Sequence, residues 1–484
     1  MTTLGSKAVR GGGATLLGQL VKVFLQLAGL VVLGRILSPT DFGLVAMVTA
    51  IVGVADVIRD AGLSSAAIQA KSLSAGQRNN LFWLNSGIGL ALMGAICLAA
   101  WPIAVLYGDQ RLIVITLALA PMFLFNGIQT QFQAHLARDL RFVALTVSDI
   151  LSMAVGLAAA IGTALAGFGY WALVFQLLAQ SLTLLIARTI LARWRPGLPD
   201  RSAPTKEFVK FGVNLMGSQL LVYASSNVPS IIVGNRFGAT QLGFFGRASQ
   251  LVTFPMNQLL TPITNVALPV LARSQDSRIQ YERHLLNAQI ALSYAVAGVL
   301  SLAIVWADPL IPLIFGDQWQ PSAPLFQILA VAGLFQAVSY GTYWVFLSMG
   351  LTQSHFRYSL ISRSLLIVTV LVGSLFGLYG VAVGYVAGVA LGWPLSLLWL
   401  HRHRVAPIRR MLMIGIRALF LAVLVTAAGL AAALGLESSN DFVRLALSAV
   451  VVIVAAGLLV LVIPPMRADA RVIITTLGHF RSRG

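Results

Sequence analysis

Lysines, arginines, carboxylates and amides stand inside stretches otherwise too apolar to tolerate them, and their spacing gathers them onto shared helix faces. Gln19, Lys22 and Gln26 fall within about a 60° arc at 100° per residue. Arg247, Gln250, Gln258, Thr261 and Asn265 span about an 80° arc, Asn214, Ser218 and Ser225 about 40°, and Asp56, Arg59 and Asp60 about 100°. A charged side chain at the centre of a bilayer costs about 2.5–3.5 kcal/mol, so stripes of this kind face a hydrated cavity or a partner. Amides and hydroxyls suit a polyhydroxylated ligand, and Lys and Arg suit a phosphate. Lys22, Arg59, Arg247, Gln19, Gln26, Asn214, Gln250, Gln258 and Asn265 are therefore the expected substrate-binding set. For Lys22 and Arg59 the alternative is snorkelling to an interface. Asp56 and Asp60 either neutralise Arg59 or bind a coupling ion, and neutralisation is the favoured reading. Asp149 is expected to be a packed, hydrogen-bonded carboxylate. The six histidines show no HExxH or other paired-ligand spacing, and there is no Walker A sequence and no GxSxG. No catalytic residue, metal or cofactor is expected.

The elements that must position these residues are membrane helices. Of 484 residues, 58% are hydrophobic and 10% charged, against about 45–50% apolar in soluble domains. Runs of about 20 apolar residues, each enough to cross the hydrocarbon core as a helix, recur along the chain. The composition predicts an all-α polytopic membrane protein of about fourteen transmembrane helices. The first apolar run, near residues 14–32, holds Gln19, Lys22 and Gln26 and lacks a small-residue cleavage site, so it is read as a retained span. The last two spans are almost wholly apolar and are expected to face lipid. A lone cysteine, Cys97, excludes an intrachain disulfide.

A net charge of +18 raises the question of nucleic acid, but the bases are dispersed over short loops, every second one basic. Lys71 and Arg78, Arg138 and Arg141, Arg273 to Arg283, Arg357 and Arg363, and Arg402 to Arg410 alternate with loops holding Asp41, Asp109, Asp308, Asp317 and Glu437. No nucleic-acid partner is expected. The positive-inside rule predicts that both termini are cytoplasmic.

The longest polar interruption, Arg188 to Lys210, separates two halves that read alike. Residues 33–45 align without gaps on 233–245, with identical pairs Gly34/Gly234, Thr40/Thr240 and Gly43/Gly243. Tyr107-Gly108-Asp109-Gln110 is echoed by Phe315-Gly316-Asp317-Gln318. Duplicated halves of this kind build transporter sites at the repeat interface. The expected organisation is an N-terminal lobe of six helices at 1–192, a basic cytoplasmic hinge at 193–207, and a C-terminal lobe of six helices at 208–404. Two further helices and a basic tail occupy 405–484. The polar stripes lie on helices one, two, seven and eight, which are expected to wall a cleft between the halves.

With these motifs the chain resembles bacterial polysaccharide or lipopolysaccharide exporters of the WzxC/ExoT type, in the MOP superfamily that also contains MATE exporters and the lipid II flippase. The resemblance rests on the 34–45 segment, Asp60-Ala61-Gly62-Leu63, Ala67-Ile68-Gln69, Leu81 to Asn85, Tyr107-Gly108-Asp109, Leu140-Arg141-Phe142, Gly167 to Leu173, Phe244 to Ala248, Pro255 to Gln258 and Gly316 to Trp319. It covers about residues 10–350; beyond that it is chiefly one of hydropathy. It implies a MATE-like fold and a non-enzymatic flippase. This would carry an undecaprenyl-diphosphate-linked oligosaccharide across the inner membrane by alternating access, for exopolysaccharide, capsule or lipopolysaccharide synthesis, in company with a polysaccharide polymerase complex. It also implies a cationic cavity, onto which Arg247, Lys22 and Arg59 map. Phe244 and Phe245 stand where the family usually has tyrosines, which removes hydroxyls that would meet a sugar. Alternative readings are a lipid II flippase, or a MATE-type drug/cation antiporter, for which an acidic cavity would be expected.

Overall fold

A computed structural model describes residues 2–60, 68, 73–435 and 441–481; the side chains of 2–16, 60, 207, 210–215, 217–218, 441–442 and 476–481 lie outside the description. The side chains of Asp60 and Asn214, and most of the 60–69 motif, therefore fall outside the described residues. The described chain is helical throughout, with no strand. In order, the helices are α1 (Thr2–Ile36), α2 (Pro39–Asp60), α3 (Ala75–Tyr107), α4 (Arg111–Leu119), α5 (Pro121–Arg138), α6 (Phe142–Leu165), α7 (Trp171–Ala192) and α8 (Lys206–Arg273). They continue as α9 (Arg278–Phe315), α10 (Ser322–Ser348), α11 (Thr352–Gly373), α12 (Gly377–His401), α13 (Ile408–Leu434), α14 (Asp441–Val462) and α15 (Pro464–Arg481).

Among the described residues, eleven helical stretches are long and apolar enough to span a membrane, one of them, 352–401, holding both α11 and α12. The two arms of α8 lie outside that set, so the expected fourteen is approximate. Apolar side chains sit outward along these helices: Leu98, Phe376 and Ile453 are all strongly exposed, the inverse of a soluble protein and the arrangement that lipid requires. Only 11% of the α14 span is buried, as expected for a lipid-facing helix. Helix α13 differs. Gly415, Ala418, Ala422 and Gly429 let it pack closely, and its Met411 carbonyl accepts a 3.0 Å hydrogen bond from Gln289 of α9.

The chain divides into two compact units, Met1–Gly243 and Phe244–Gly484. In the first unit the polar segment after α7 is pinned along the start of α3. Asn80 donates to the Asp200 and Ala203 carbonyls at 2.6 and 2.8 Å, Trp83 to Gly197 at 2.9 Å and Gln77 to Pro204 at 3.2 Å. Trp194 completes an aromatic cluster with Phe82 and Phe132. In the second unit the core is built on Trp319, Trp344, Tyr281, Phe315 and Phe346, each under 2% exposed.

The sequence repeat has a structural counterpart. Helix α1 gives way to α2 at Leu37–Ser38, where Asp41 accepts from the Ser38 amide at 2.9 Å and hydroxyl at 2.6 Å. At the equivalent point, Gly238 breaks α8 with φ +83° and ψ −180°, a region open essentially to glycine alone. Gly108 and Gly316, the paired glycines of the second echo, both follow a helix end with positive φ, at +69° and +97°.

The two copies of the repeated turn also touch within the first unit. Thr40 and Thr240 share a hydrogen bond between their hydroxyls at 2.8 Å. A methyl built on Gly43 would lie 1.7 Å from the Ala239 carbonyl oxygen, and one on Gly243 would lie 1.9 Å from that of Pro39. Residues 39 and 239 are equivalent in the repeat, as are 43 and 243. The contact is therefore reciprocal, each glycine meeting the other copy's carbonyl beside the threonine pair.

Candidate functional site

In the first unit, Lys22 lies midway along α1 and reaches Asp149 of α6 at 2.5 Å. The other oxygen of Asp149 takes Arg188 of α7 at 2.8 Å. Arg188 is 6% exposed, and its remaining donors reach Gln129 and, at 2.8 Å, Gln133 of α5. One carboxylate thus holds two cations, which leaves a positive excess. Its own side chain is 31% exposed and that of Lys22 22%, so the ion pair is not sealed inside the unit, and an anion reaching it would compete with Asp149 for cations already in place.

A third cation stands beside these two. Arg59, near the end of α2, pairs with Asp56 at 3.2 Å and donates to the Thr130 hydroxyl at 3.0 Å and the Asn126 carbonyl at 3.3 Å. Gln129 and Thr130 are neighbours in sequence, so α5 links the two clusters. Together Lys22, Arg59 and Arg188 set three cations against Asp56 and Asp149. Asp56 and Arg59 are three residues apart on one helix and form this pair with each other. Gln19 and Gln26 flank Lys22 on α1 and are exposed.

Arg247 belongs to the second unit. It is 6% exposed, with its guanidinium carbon 5.8 Å from the Phe315 ring centre and 5.6 Å from that of Trp319, within the range of a cation–π interaction. It donates to Gln250 at 2.7 Å. Its counterpart at the repeat offset is Met47, 1% exposed, so the duplication has placed a cation in one half only. Along the same helix Gln250, Gln258 and Asn265 are exposed, presenting amides rather than packing them away. Phe244 and Phe245 are buried at 8% and 3%, with Phe244 edge-on to Trp319. Rings without hydroxyls at these positions serve packing.

Sequence reasoning counted Arg188 with the basic hinge. The structure places it inside α7 and buried, four residues before the helix ends. Two features of the sequence pointed there: a lone Asp149 within an apolar span needs a counter-ion, and Gln129 and Gln133, four apart, share a helix face.

The sequence profile of a family described as Polysaccharide biosynthesis protein matches residues 32–324. Among relatives, the Lipopolysaccharide biosynthesis protein WzxC of Escherichia coli (strain K12) is 25% identical over 400 residues, 79% of this chain and 78% of its own. The Teichuronic acid biosynthesis protein TuaB of Bacillus subtilis (strain 168) is 25% identical over 70% of each chain. The Succinoglycan biosynthesis transport protein ExoT of Rhizobium meliloti (strain 1021) is also 25% identical, over 68% of this chain and 67% of its own. Among solved structures, the lipid II flippase MurJ in an inward closed conformation superposes with a TM-score of 0.72 at 14% identity, covering 93% of this chain and 97% of that one. An inward-facing multidrug resistance MATE family transporter of the MOP superfamily gives 0.60 at 15% identity, over 79% and 94%. These likenesses establish the fold: all-helical, of the kind shared by MurJ and MATE transporters.

Proposed function

The chain belongs to the polysaccharide biosynthesis protein family, and on that footing we propose that it is a non-enzymatic flippase moving an undecaprenyl-diphosphate-linked oligosaccharide across a bacterial inner membrane. The observation that carries the reading is the cluster of Lys22, Arg59 and Arg188, three cations held by two carboxylates inside membrane helices. Charges on membrane helices are costly unless matched, and a diphosphate is the part of such a substrate that would match the cation in excess. Lys22 exchanges Asp149 for a phosphate oxygen, while Arg188 keeps Asp149 from being left alone. Arg247, seated on its aromatic rings, takes the diphosphate later in the cycle. The exposed amides of Gln19, Gln26, Gln250, Gln258 and Asn265, with Asn214, meet sugar hydroxyls. The lipid tail stays in the bilayer.

In this reading a lobe at 1–192 and a lobe at 208–404 rock about the 193–207 hinge, both termini are cytoplasmic, and Asp56 and Asp60 are the places to look for ion coupling. A polysaccharide polymerase complex receives the product. The test is complementation of an exporter deletion in the native strain, with surface glycan measured at matched expression. Lys22→Ala, Arg59→Ala and Arg247→Ala should each lower export at least fivefold, and Arg188→Lys less than Arg188→Ala. Wild-type export from the Lys22→Ala and Arg247→Ala proteins would sink the handover. Loss of viability on deletion, rather than loss of glycan alone, would favour a lipid II substrate.

A further inference from the structure

A cleft of about 950 Å³ opens in the second unit between α9, α13 and α15. Its polar lining is mostly arginine: Arg283 on α9, and Arg409, Arg410 and Arg417 on α13. Two carboxylates share the cleft, and both are committed. Asp469 of α15 is held by Arg417 at 2.9 Å and by the Tyr294 hydroxyl at 2.8 Å. Glu282 takes Arg278 at 2.9 Å and Arg410 at 3.7 Å. Arg283 and Arg409 form no ion pair among the described residues, and both are exposed. Behind them the wall turns apolar, with Leu286, Ile290, Met413 and Ile414.

Two guanidiniums in excess over an apolar wall suit a ligand that carries phosphate charge at one end and hydrocarbon immediately behind it. A free phosphate would use the first half of that lining and leave the second bare. Helix α15 adds an independent observation. It follows directly on the last span, buries Met466 against the cluster of Val305, Leu421 and Val425, and turns Arg467 and Arg471 outward. A short basic helix with one apolar face lies along a membrane interface. The cleft it borders is thus at headgroup depth, and basic pockets between membrane helices on the cytoplasmic side recognise anionic headgroups.

We propose that this cleft is a binding site for an anionic phospholipid, with Arg283 and Arg409 on the phosphate and Leu286 and Met413 against the first carbons of the acyl chains. The site lies wholly in the second unit, and its occupant is a bilayer lipid rather than the transported glycan, so it does not rest on the transport reading.

The experiment uses the full chain in a neutral detergent, titrated with phosphatidylglycerol, phosphatidylcholine or inorganic phosphate, and read by thermal melting and by lipid retention in native mass spectrometry. Phosphatidylglycerol should raise the melting temperature of the wild type, and the other two ligands should not. The double variant Arg283→Gln/Arg409→Gln should bind phosphatidylglycerol at least fivefold more weakly. A control with the same charge change on the outer face of α15, Arg467→Gln/Arg471→Gln, should retain wild-type affinity. The unliganded melting temperature serves as the folding check, and the single variants Arg283→Gln and Arg409→Gln stand in if the double variant does not fold. Equal affinity in the cleft variants and the wild type overturns the proposal. So does an equal loss in the control, which would mean surface charge only, or a stabilisation that inorganic phosphate reproduces.

Discussion

Substituting alanine for Gly43 adds a methyl where the Ala239 carbonyl oxygen is 1.7 Å away, and for Gly243 where that of Pro39 is 1.9 Å away. Real Cβ atoms essentially never come closer than 3.0 Å, so the helices must part by more than an ångström at the crossing. The obstacle is backbone, which cannot rotate aside as a side chain would. Overpacking of this kind costs about 1–3 kcal/mol, and at about 1.4 kcal/mol per decade that is roughly a 5- to 150-fold shift away from the closed contact. Both glycines load the same crossing, so the double variant should cost less than the sum of the singles. The assay is disulfide formation between cysteines replacing Thr40 and Thr240, whose hydroxyls lie 2.8 Å apart, in a background with the free Cys97 changed to alanine. Gly43→Ala should slow oxidative cross-linking at least fivefold and lower the melting temperature. Gly87→Ala, where a methyl meets nothing within 4 Å, should change neither. The proposed rocking of a lobe at 1–192 against one at 208–404 would part this crossing, which joins residues 39–43 to 239–243, so the oxidised pair should stop glycan export and reductant should restore it. Cross-linking of Gly43→Ala at the parent rate would refute the steric argument. Undiminished export from the cross-linked protein would refute the opening.

Three further outcomes are expected. Asp149→Asn strands the buried Arg188 guanidinium. Breaking a fully buried pair costs about 3–5 kcal/mol; here the carboxylate is 31% exposed, so a loss of about 2 kcal/mol is expected in a chemical-denaturation series. Lys22→Ala keeps the Asp149–Arg188 pair and should cost clearly less. Gly238→Ala must hold a side chain at φ +83°, worth about 1–3 kcal/mol of strain, and should lower the melting temperature more than Gly246→Ala, where a methyl meets nothing within 4 Å. Asp109, in the turn between α3 and α4, is held below the usual carboxylate range chiefly by the hydrogen bond from the Arg111 side chain, with backbone bonding and charge adding to it. A carboxylate with a lowered pKa contributes stability above its unfolded pKa of about 4 and loses it as pH falls through the lowered value. Asp109→Asn should therefore melt below wild type at pH 7 and converge on it as pH falls through the lowered value, which flattens the acid limb of the melting-temperature profile.

Membrane character, helical class and duplication were legible because each depends on local chemistry. Twenty apolar residues must span or aggregate in water, and thirteen aligned residues reveal a repeated turn whichever way the copies are placed. The candidate cations were found the same way, since a charge in an apolar run is conspicuous wherever the run goes. Partnership was a different matter. Lys22 and Asp149 are 127 residues apart and Asp149 and Arg188 are 39 apart, and no spacing rule links side chains on three helices. Arg188 read as part of a basic hinge because the polar segment begins five residues later, and only the burial of α7 separates it from Arg193. The meeting of Thr40 with Thr240, and of each glycine with the other copy's carbonyl, was likewise beyond the sequence: alignment finds equivalent residues but not the packing that brings them together. Periodicity reports which face of a helix is polar. Which neighbour that face meets is decided by packing over the whole unit, because a charge within the membrane is stable only where some distant residue completes it.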